Sequence, residues 1–374
     1  MRSSGLELFA GVVATAVLVA GLAGCTPEPA PAASPDPTAA ASPEPVATPL
    51  ECDDLVAPEL VAATLEGGDG TPVEPVAAAY EHDVFTGILL EGVGGLPCSW
   101  RVGSGMPEYG NGSDWAYLRV DVLPGAAGEW QPEWAGDAPS TDTRDVAGIT
   151  ASIAAGDSGW RLSAPVGDAW VRLSISAAGL TGAGSRFLGV PGGDMLDRLA
   201  AAAEPVFTSI AGASPEQLAW PAMPSREGEA ACTGGLDEQG IVAAEQLPDG
   251  SAVEYTTVDA TTAPVEGFTG AVEAAARAFD CDLVVDGGAV PLVSITTARG
   301  FGPLFERLRE PDGDVAFEPI ELADVPAGST AEAVVRGYDD GPSSPAYLVV
   351  GDSLYRIQGD GASAVAQAIV HQTY

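Results

Sequence analysis

The chain repeats itself. Landmarks in its first half recur in the same order in its second half, displaced by about 180 positions. Leu60-Val61-Ala62-Ala63 returns as Ile241-Val242-Ala243-Ala244, and Asp145-Val146 returns as Asp324-Val325. Val166-Gly167-Asp168 followed by Arg172-Leu173 returns as Val350-Gly351-Asp352 followed by Arg356-Ile357. Cys52 and Cys98 are matched by Cys232 and Cys281. Five landmarks that drift by only a few residues point to tandem duplication of one unit. The units cover 51–210 and 230–374, each long enough to close a core of its own. Between them, 211–229 reads as a linker, interrupted by Pro215, Pro221 and Pro224.

Both units follow one coarse plan. A short helix is expected after the first cysteine, over 54–65 and 237–246. An irregular or helical stretch leads to the second cysteine, helical over 270–279 in the second unit. Half-buried strands follow, read from period-two alternation, over 115–123, 149–154, 160–164 and 169–176 in the first unit. In the second they fall at 290–297, 331–336, 346–350 and 353–358. Gly-Asp pairs at Gly156-Asp157, Gly167-Asp168 and Gly351-Asp352 mark the turns. A terminal helix closes each unit, over 195–204 ahead of Pro205 and over 362–371. The first unit alone carries an extra glycine-rich stretch, 179–193. The expected fold class is α+β: two tandem, duplicated domains, each an antiparallel sheet covered by N- and C-terminal helices.

Five cysteines are present, and one of them, Cys25, stands outside both units at the end of an apolar run. The remaining four allow three pairings. Near-equal spacing within the two units favours Cys52 with Cys98 and Cys232 with Cys281. Each bridge is worth at most roughly 4 kcal/mol by loop-closure arithmetic.

Residues 1–24 have the anatomy of an export signal, with Arg2 near the start and an apolar run from Leu8 to Ala23. The run ends in Leu22-Ala23-Gly24-Cys25. This resembles the lipobox of bacterial lipoproteins, matching its pattern at every position; Glu7 departs from the usual basic start. The resemblance implies that Cys25 receives a diacylglyceryl group and becomes the first residue of the mature, membrane-anchored protein, since two acyl chains hold stably. Residues 25–50 then form the lipidated cysteine and a tether, with eight prolines among Ala, Ser, Thr and Glu. Such a segment reaches at most about 75 Å when extended.

A second likeness is shorter. A cysteine followed by a helix and then by Cys98-Ser99-Trp100 is similar to several actinobacterial lipoprotein families of unknown function; Cys281-Asp282-Leu283 in the second unit departs from it. The likeness implies an extracytoplasmic location and disulfides, not a chemistry. The absence of Lys, the single Asn111 and the abundance of Ala and Gly agree with a GC-rich, actinobacterial coding bias.

The net charge is −38, from 53 Asp and Glu against 15 Arg. Processing at Cys25 removes Arg2 and Glu7 together, so the mature chain keeps that charge. Nucleic acid is excluded as a partner because phosphates require a basic footprint. Attraction to an anionic membrane face by charge is excluded for the same reason. Neutral or cationic partners are favoured: an envelope protein, a sugar or a small molecule.

Candidate chemistry is sparse. Gly156-Asp157-Ser158-Gly159 is similar to the nucleophile loop of trypsin-like serine proteases, but Trp160 replaces the family's next glycine. The one upstream histidine, His82, lacks the family's flanking residues, and a hairpin turn is expected there. His82 and His371 are the two imidazoles, and neither sits in a zinc-ligand spacing. Asp312-Gly313-Asp314 with Glu318, and Asp339-Asp340, lack the alternating oxygens of a calcium loop. No metal site and no cofactor is expected. Trp100, Trp115, Trp160 and Trp170 fall in or beside strands and belong to the core. Trp130 and Trp134 lie among Gly, Pro and Glu in a loop and are the candidate ligand contacts.

These observations point to a lipid-anchored, extracytoplasmic, non-catalytic binding or accessory protein of the cell envelope. The alternative is an exported hydrolase whose carboxylates are hidden among many.

Overall fold

Strand β3 (Ala116–Leu123) is buried at every residue, which requires cover on both faces of its sheet. Leu118, Val120 and Val122 point into one core, while Tyr117, Arg119, Asp121 and Leu123 take the opposite face, as a period of two dictates. In this computed structural model, residues 47–78, 84–103, 114–136, 138–156, 159–224, 226, 230–248, 250–288, 290–309, 316–327, 329–337, 345–359 and 361–374 are described. Ala47–Tyr374 form one unit. Cys25, the 1–24 signal, most of the tether, His82, Asp157, Ser158, Asp312, Gly313, Asp314, Asp339 and Asp340 lie outside the described residues.

The first half runs α1 (Cys52–Leu55), α2 (Pro58–Leu65), β1 (Val76–Ala77), α3 (Val84–Gly92), β2 (Leu96–Val102), β3, and a small ribbon of β4 (Trp134–Ala135) and β5 (Ala138–Pro139). It continues through β6 (Thr143–Val146), β7 (Ile149–Gly156), β8 (Gly159–Val166), β9 (Ala169–Ala177) and α4 (Gly192–Gly212). The second half runs α5 (Glu238–Ala244), β10 (Val253–Asp259), α6 (Gly267–Ala276), β11 (Phe279–Val285), β12 (Val293–Arg299) and α7 (Phe305–Leu308). It closes with β13 (Ala316–Ile320), β14 (Ala331–Gly337), β15 (Ala346–Val350), β16 (Ser353–Gly359) and α8 (Ala362–Thr373).

The fold is α+β, with eight helices and two seven-stranded antiparallel sheets among the described residues. The orders are β1-β2-β3-β9-β8-β7-β6 and β10-β11-β12-β16-β15-β14-β13, so the halves place their strands in the same sequence. Helices α2 and α4 cover the outer face of the first sheet, and α5 and α8 that of the second. The expected terminal helices are therefore in place. Helices α3 and α6 pack on each other, and a third core joins them to both sheets. That middle layer is the element the sequence reading lacked.

The bridges are Cys52–Cys98 and Cys232–Cys281, with Cα atoms 5.6 and 6.4 Å apart. Each ties the entry to its half onto the second strand of the sheet. Cys98 and Cys281 lie on strands β2 and β11, where no strand was expected. In the first half an irregular or helical stretch was expected to lead to Cys98, yet Cys98, Trp100 and Val102 alternate inward on a strand that also contains Pro97. In the second half the helix expected over 270–279 stops at Ala276. Arg277 adopts the left-handed conformation (φ 54°), and Ala278 N–H bonds back to Glu273 O, so Phe279 already starts β11.

A second correction concerns Pro205, which was expected to end a helix and instead lies inside α4. Proline in a helix interior removes one hydrogen bond and costs about 3 kcal/mol. The helix continues because the apolar stripe continues: Ala202, Ala203, Val206, Phe207 and Ile210 are all buried against the first sheet.

Candidate functional site

The middle layer interlocks the halves reciprocally. Phe268 of α6 lies under Arg172 of β9, with the guanidinium carbon 4.4 Å from the ring centre, and meets Trp170 edge-on at 5.5 Å. Phe85 of α3 lies under Arg356 of β16 at 5.2 Å and stacks on Tyr347 at 6.3 Å. Each central helix thus seats its phenylalanine on an arginine of the other half's sheet. Asp121 is 1% exposed and accepts from Arg119 Nε at 2.7 Å and from Arg172 Nη2 at 2.9 Å, which holds Arg172 in place.

Two matched clefts follow from this exchange, one at the end of each central helix. Counting from the two phenylalanines, Gly92 of α3 stands where Ala275 stands in α6. At Gly92 the space is taken: a Cβ there would lie 2.2 Å from the Phe301 ring, with Leu304 behind it. The linker then crosses this end. Met223 N–H donates to Gly92 O at 2.7 Å, and the Trp220 carbonyl lies close over Gly94. What remains is a hollow of about 370 Å³ bordered by Leu96, Pro97, Cys98, Arg119 and Trp220.

At Ala275 the space is open. The opposing wall offers Gly125 and Ala126 in place of aromatic bulk. The cleft there holds about 640 Å³ between Leu123–Glu129 of the first half and Asp259, Thr261, α6 and Phe279 of the second. Its floor is apolar (Leu123, Ala126, Ala271, Phe279), and Glu129, Asp259 and Arg277 stand on its rim. Asp259 Oδ1 accepts from Thr261 N at 2.8 Å and from Thr261 Oγ1 at 2.7 Å, so this carboxylate organises the turn after β10. Arg277 is exposed, and its left-handed backbone is one that glycine adopts more cheaply.

The candidate tryptophans separate. Trp130 is half-buried against the middle core, and its Nε1–H donates to Ser163 Oγ at 3.2 Å. Trp134, on β4, is 39% exposed. Between them Gln131 joins the halves: its Nε2 donates to Val265 O at 2.6 Å and its Oε1 accepts from Gly267 N at 3.2 Å. Nothing in the sequence marked Gln131, because both of its partners lie in the other half. Trp100, Trp115, Trp160 and Trp170 are buried, as their strand positions suggested.

Gly156 and Gly159 pair across the β7–β8 hairpin. Gly159 (φ 127°) has no room for a side chain, since a Cβ would meet Ile175 O at 2.1 Å, which accounts for this glycine without a catalytic role. His371 is exposed on α8 and shares a 2.9 Å hydrogen bond with Gln367. Among the described residues no group of three or more His, Cys, Asp or Glu is placed to hold a metal ion. No described helix is long and apolar enough to cross a membrane.

Two acid–base features lie away from the cleft. Burial raises the Asp280 carboxyl above its ordinary value, against the Thr296 hydrogen bond and the Arg356 charge. Tyr255 is pushed up to about 12, first by burial and then by Glu238 and Asp237.

Comparison with protein families, with curated proteins and with solved structures returns no match.

Proposed function

We propose that this protein is a lipoprotein anchored through Cys25 to the extracytoplasmic face of the cell membrane, and that its folded part is a non-catalytic binding protein. We further propose that its halves arose by tandem duplication; the shared strand order and the five sequence landmarks support this. Its site is the open cleft beside Ala275. The observation that carries this reading is the asymmetry of the two clefts: Phe301, Leu304 and the linker fill one, while small residues line the other. A duplicated fold that plugs one copy of a hollow and keeps the other open has a use for the open one. A ligand that suits it has an apolar body for Leu123, Ala126 and Phe279 and a polar group for the Glu129–Arg277 rim.

The hydrolase alternative rests on Glu129 and Asp259, two carboxylates on one rim. Asp259 is engaged in its turn with Thr261, which favours a structural use of that acid over proton transfer.

Ligand-observed NMR with a fragment collection tests the reading. Fragments that bind the wild type and are lost in Ala275→Trp, which fills the cleft, support it. An equal response from the two proteins places binding elsewhere and refutes it. Release of the protein from membranes by Cys25→Ser checks the anchor separately, and continued retention refutes it.

A further inference from the structure

Four strands form the edges of the two sheets, and three of them are blunted. β1 has two residues, β6 has four and is tied to α4 by Arg144 and Asp197, and β13 carries Pro319. β10 is different. It has seven residues, contains no proline, and pairs along its whole length with β11. Its other side has no strand partner among the described residues.

The phase of that free side follows from two bonds. Asp286 N donates to Ala252 O, and Ala260 N donates to Ala278 O. In an antiparallel ladder bonded positions alternate, so Ala252, Glu254, Thr256, Val258 and Ala260 bond to β11. Val253, Tyr255 and Thr257 therefore turn their N–H and C=O groups outward, while the Asp259 carbonyl is taken by the turn that follows, accepting from Thr262 N at 3.0 Å and Ala263 N at 2.9 Å. Val258, on the face shared with Asp280, is 42% exposed.

Arg277 stands beside Asp259 at one end of this edge, and the rest of its surroundings is acidic. Between Arg226 and Arg277 the chain contains ten carboxylates and no cation. Glu254 and Asp259 lie on β10 itself, and Glu238 and Asp237 stand next to Tyr255. A second copy of the chain would bring the same acids to the same place. The protein's own tether, 26–50, contains acids and no cation, so it too is repelled.

We infer that β10 is a docking edge for an extended, basic segment of a protein partner, which adds to the second sheet as an eighth strand. Main-chain bonds to Val253, Tyr255 and Thr257 supply the affinity, and the acids select the partner's arginines and lysines. This inference does not depend on the cleft: the edge is a separate surface that reaches the cleft only at Asp259.

The probe is a short acetylated peptide of alternating arginine and valine, followed by fluorescence anisotropy and by amide hydrogen exchange. Thr257→Pro deletes one outward N–H without removing a bond to β11, and proline is tolerated at such an edge position. Binding to the wild type, weakened about tenfold in Thr257→Pro by loss of one backbone bond, is expected. Ala275→Trp, which fills the cleft, should leave it unchanged. On the wild type, peptide should slow exchange at Tyr255 and Thr257 and not at Thr256, a readout that holds even if the proline variant folds poorly. The inference is overturned if the peptide does not bind, if it binds equally after N-methylation of its alternate amides, or if the protection appears elsewhere. Equal binding to a well-folded Thr257→Pro also overturns it. Concentration-dependent dimerisation through β10 without peptide would identify a second copy as the occupant and overturn it as well.

Discussion

The guanidinium of Arg356 lies 5.2 Å from the ring centre of Phe85, although the two residues belong to different halves of the chain. Its mirror, Arg172 on Phe268, is closer at 4.4 Å. Both rings are buried, Phe85 at 1% and Phe268 at 3% exposure. Phe85→Ala and Phe268→Ala should each destabilise the fold by about 3–5 kcal/mol, the usual cost of emptying an aromatic site. A double-mutant cycle of Phe85→Leu with Arg356→Met should show a coupling of about 0.5–2 kcal/mol in urea unfolding. A coupling near zero would mean that the arginine only fills space.

Pro205 is half-buried and carries no N–H for the helix that surrounds it. Pro205→Ala should therefore raise stability by about 1–3 kcal/mol, read as a shift in the denaturation midpoint at constant slope. A loss of stability would show that packing of Phe207 and Ile210 depends on a bend at this position.

Arg277 terminates α6 in the left-handed region while standing on the rim of the open cleft. Arg277→Gly should stabilise the protein by about 1 kcal/mol by relieving that conformation. The same substitution should weaken any ligand of the cleft that carries an anionic group. A variant that is both more stable and unaltered in binding would remove Arg277 from the site.

Asp280 has its carboxyl raised by burial, so the folded protein holds that proton more tightly than the unfolded chain does. Its contribution to stability accordingly falls as pH rises from the ordinary aspartate value through the raised folded one. Asp280→Asn removes this slope while keeping a partner for Thr296. The variant should melt above the wild type at neutral pH and close to it in acid. The opposite order would mean that the attraction to Arg356 outweighs burial.

The bridges close at buried cysteines, Cys98 and Cys281 each at 1% exposure. Replacing Cys52 and Cys98 by serine should cost about 2–5 kcal/mol, with the second pair behaving alike. Thiol titration of the untreated folded protein should find these four cysteines unreactive. A free thiol among them would contradict the pairing.

Local patterns carried much of this fold. The strands at 169–176, 346–350 and 353–358 were legible because alternation of period two is set by neighbours along the chain. The helices over 54–65 and 237–246 were legible for the same kind of reason, though in the first case Pro58 starts a second helix. The cysteine-bearing strands were missed for two reasons: Pro97 interrupts Leu96–Val102, and in Phe279–Val285, where apolar and polar residues do alternate, the helix expected over 270–279 covered the start of the strand. Pro205 misled because a helix end was judged from one residue, whereas the buried stripe beyond it decided the outcome. Of the site, Trp130 and Trp134 drew notice by composition, yet Trp130 turns inward to Ser163. Ala275, Ala126 and Gln131 carry no local signal at all.

The amino-acid order alone carried the repeated landmarks, the cysteine spacing that favours a bridge within each half, and the acidity of the chain. Each depends on composition or on spacing along the chain. Tertiary structure alone decided that Phe85 and Phe268 cross between the halves, that Phe301 fills one cleft, and that Ala126 leaves the other open. Those outcomes depend on the volumes of side chains that meet only after the sheets have packed, and spacing along a chain does not encode which volumes will meet.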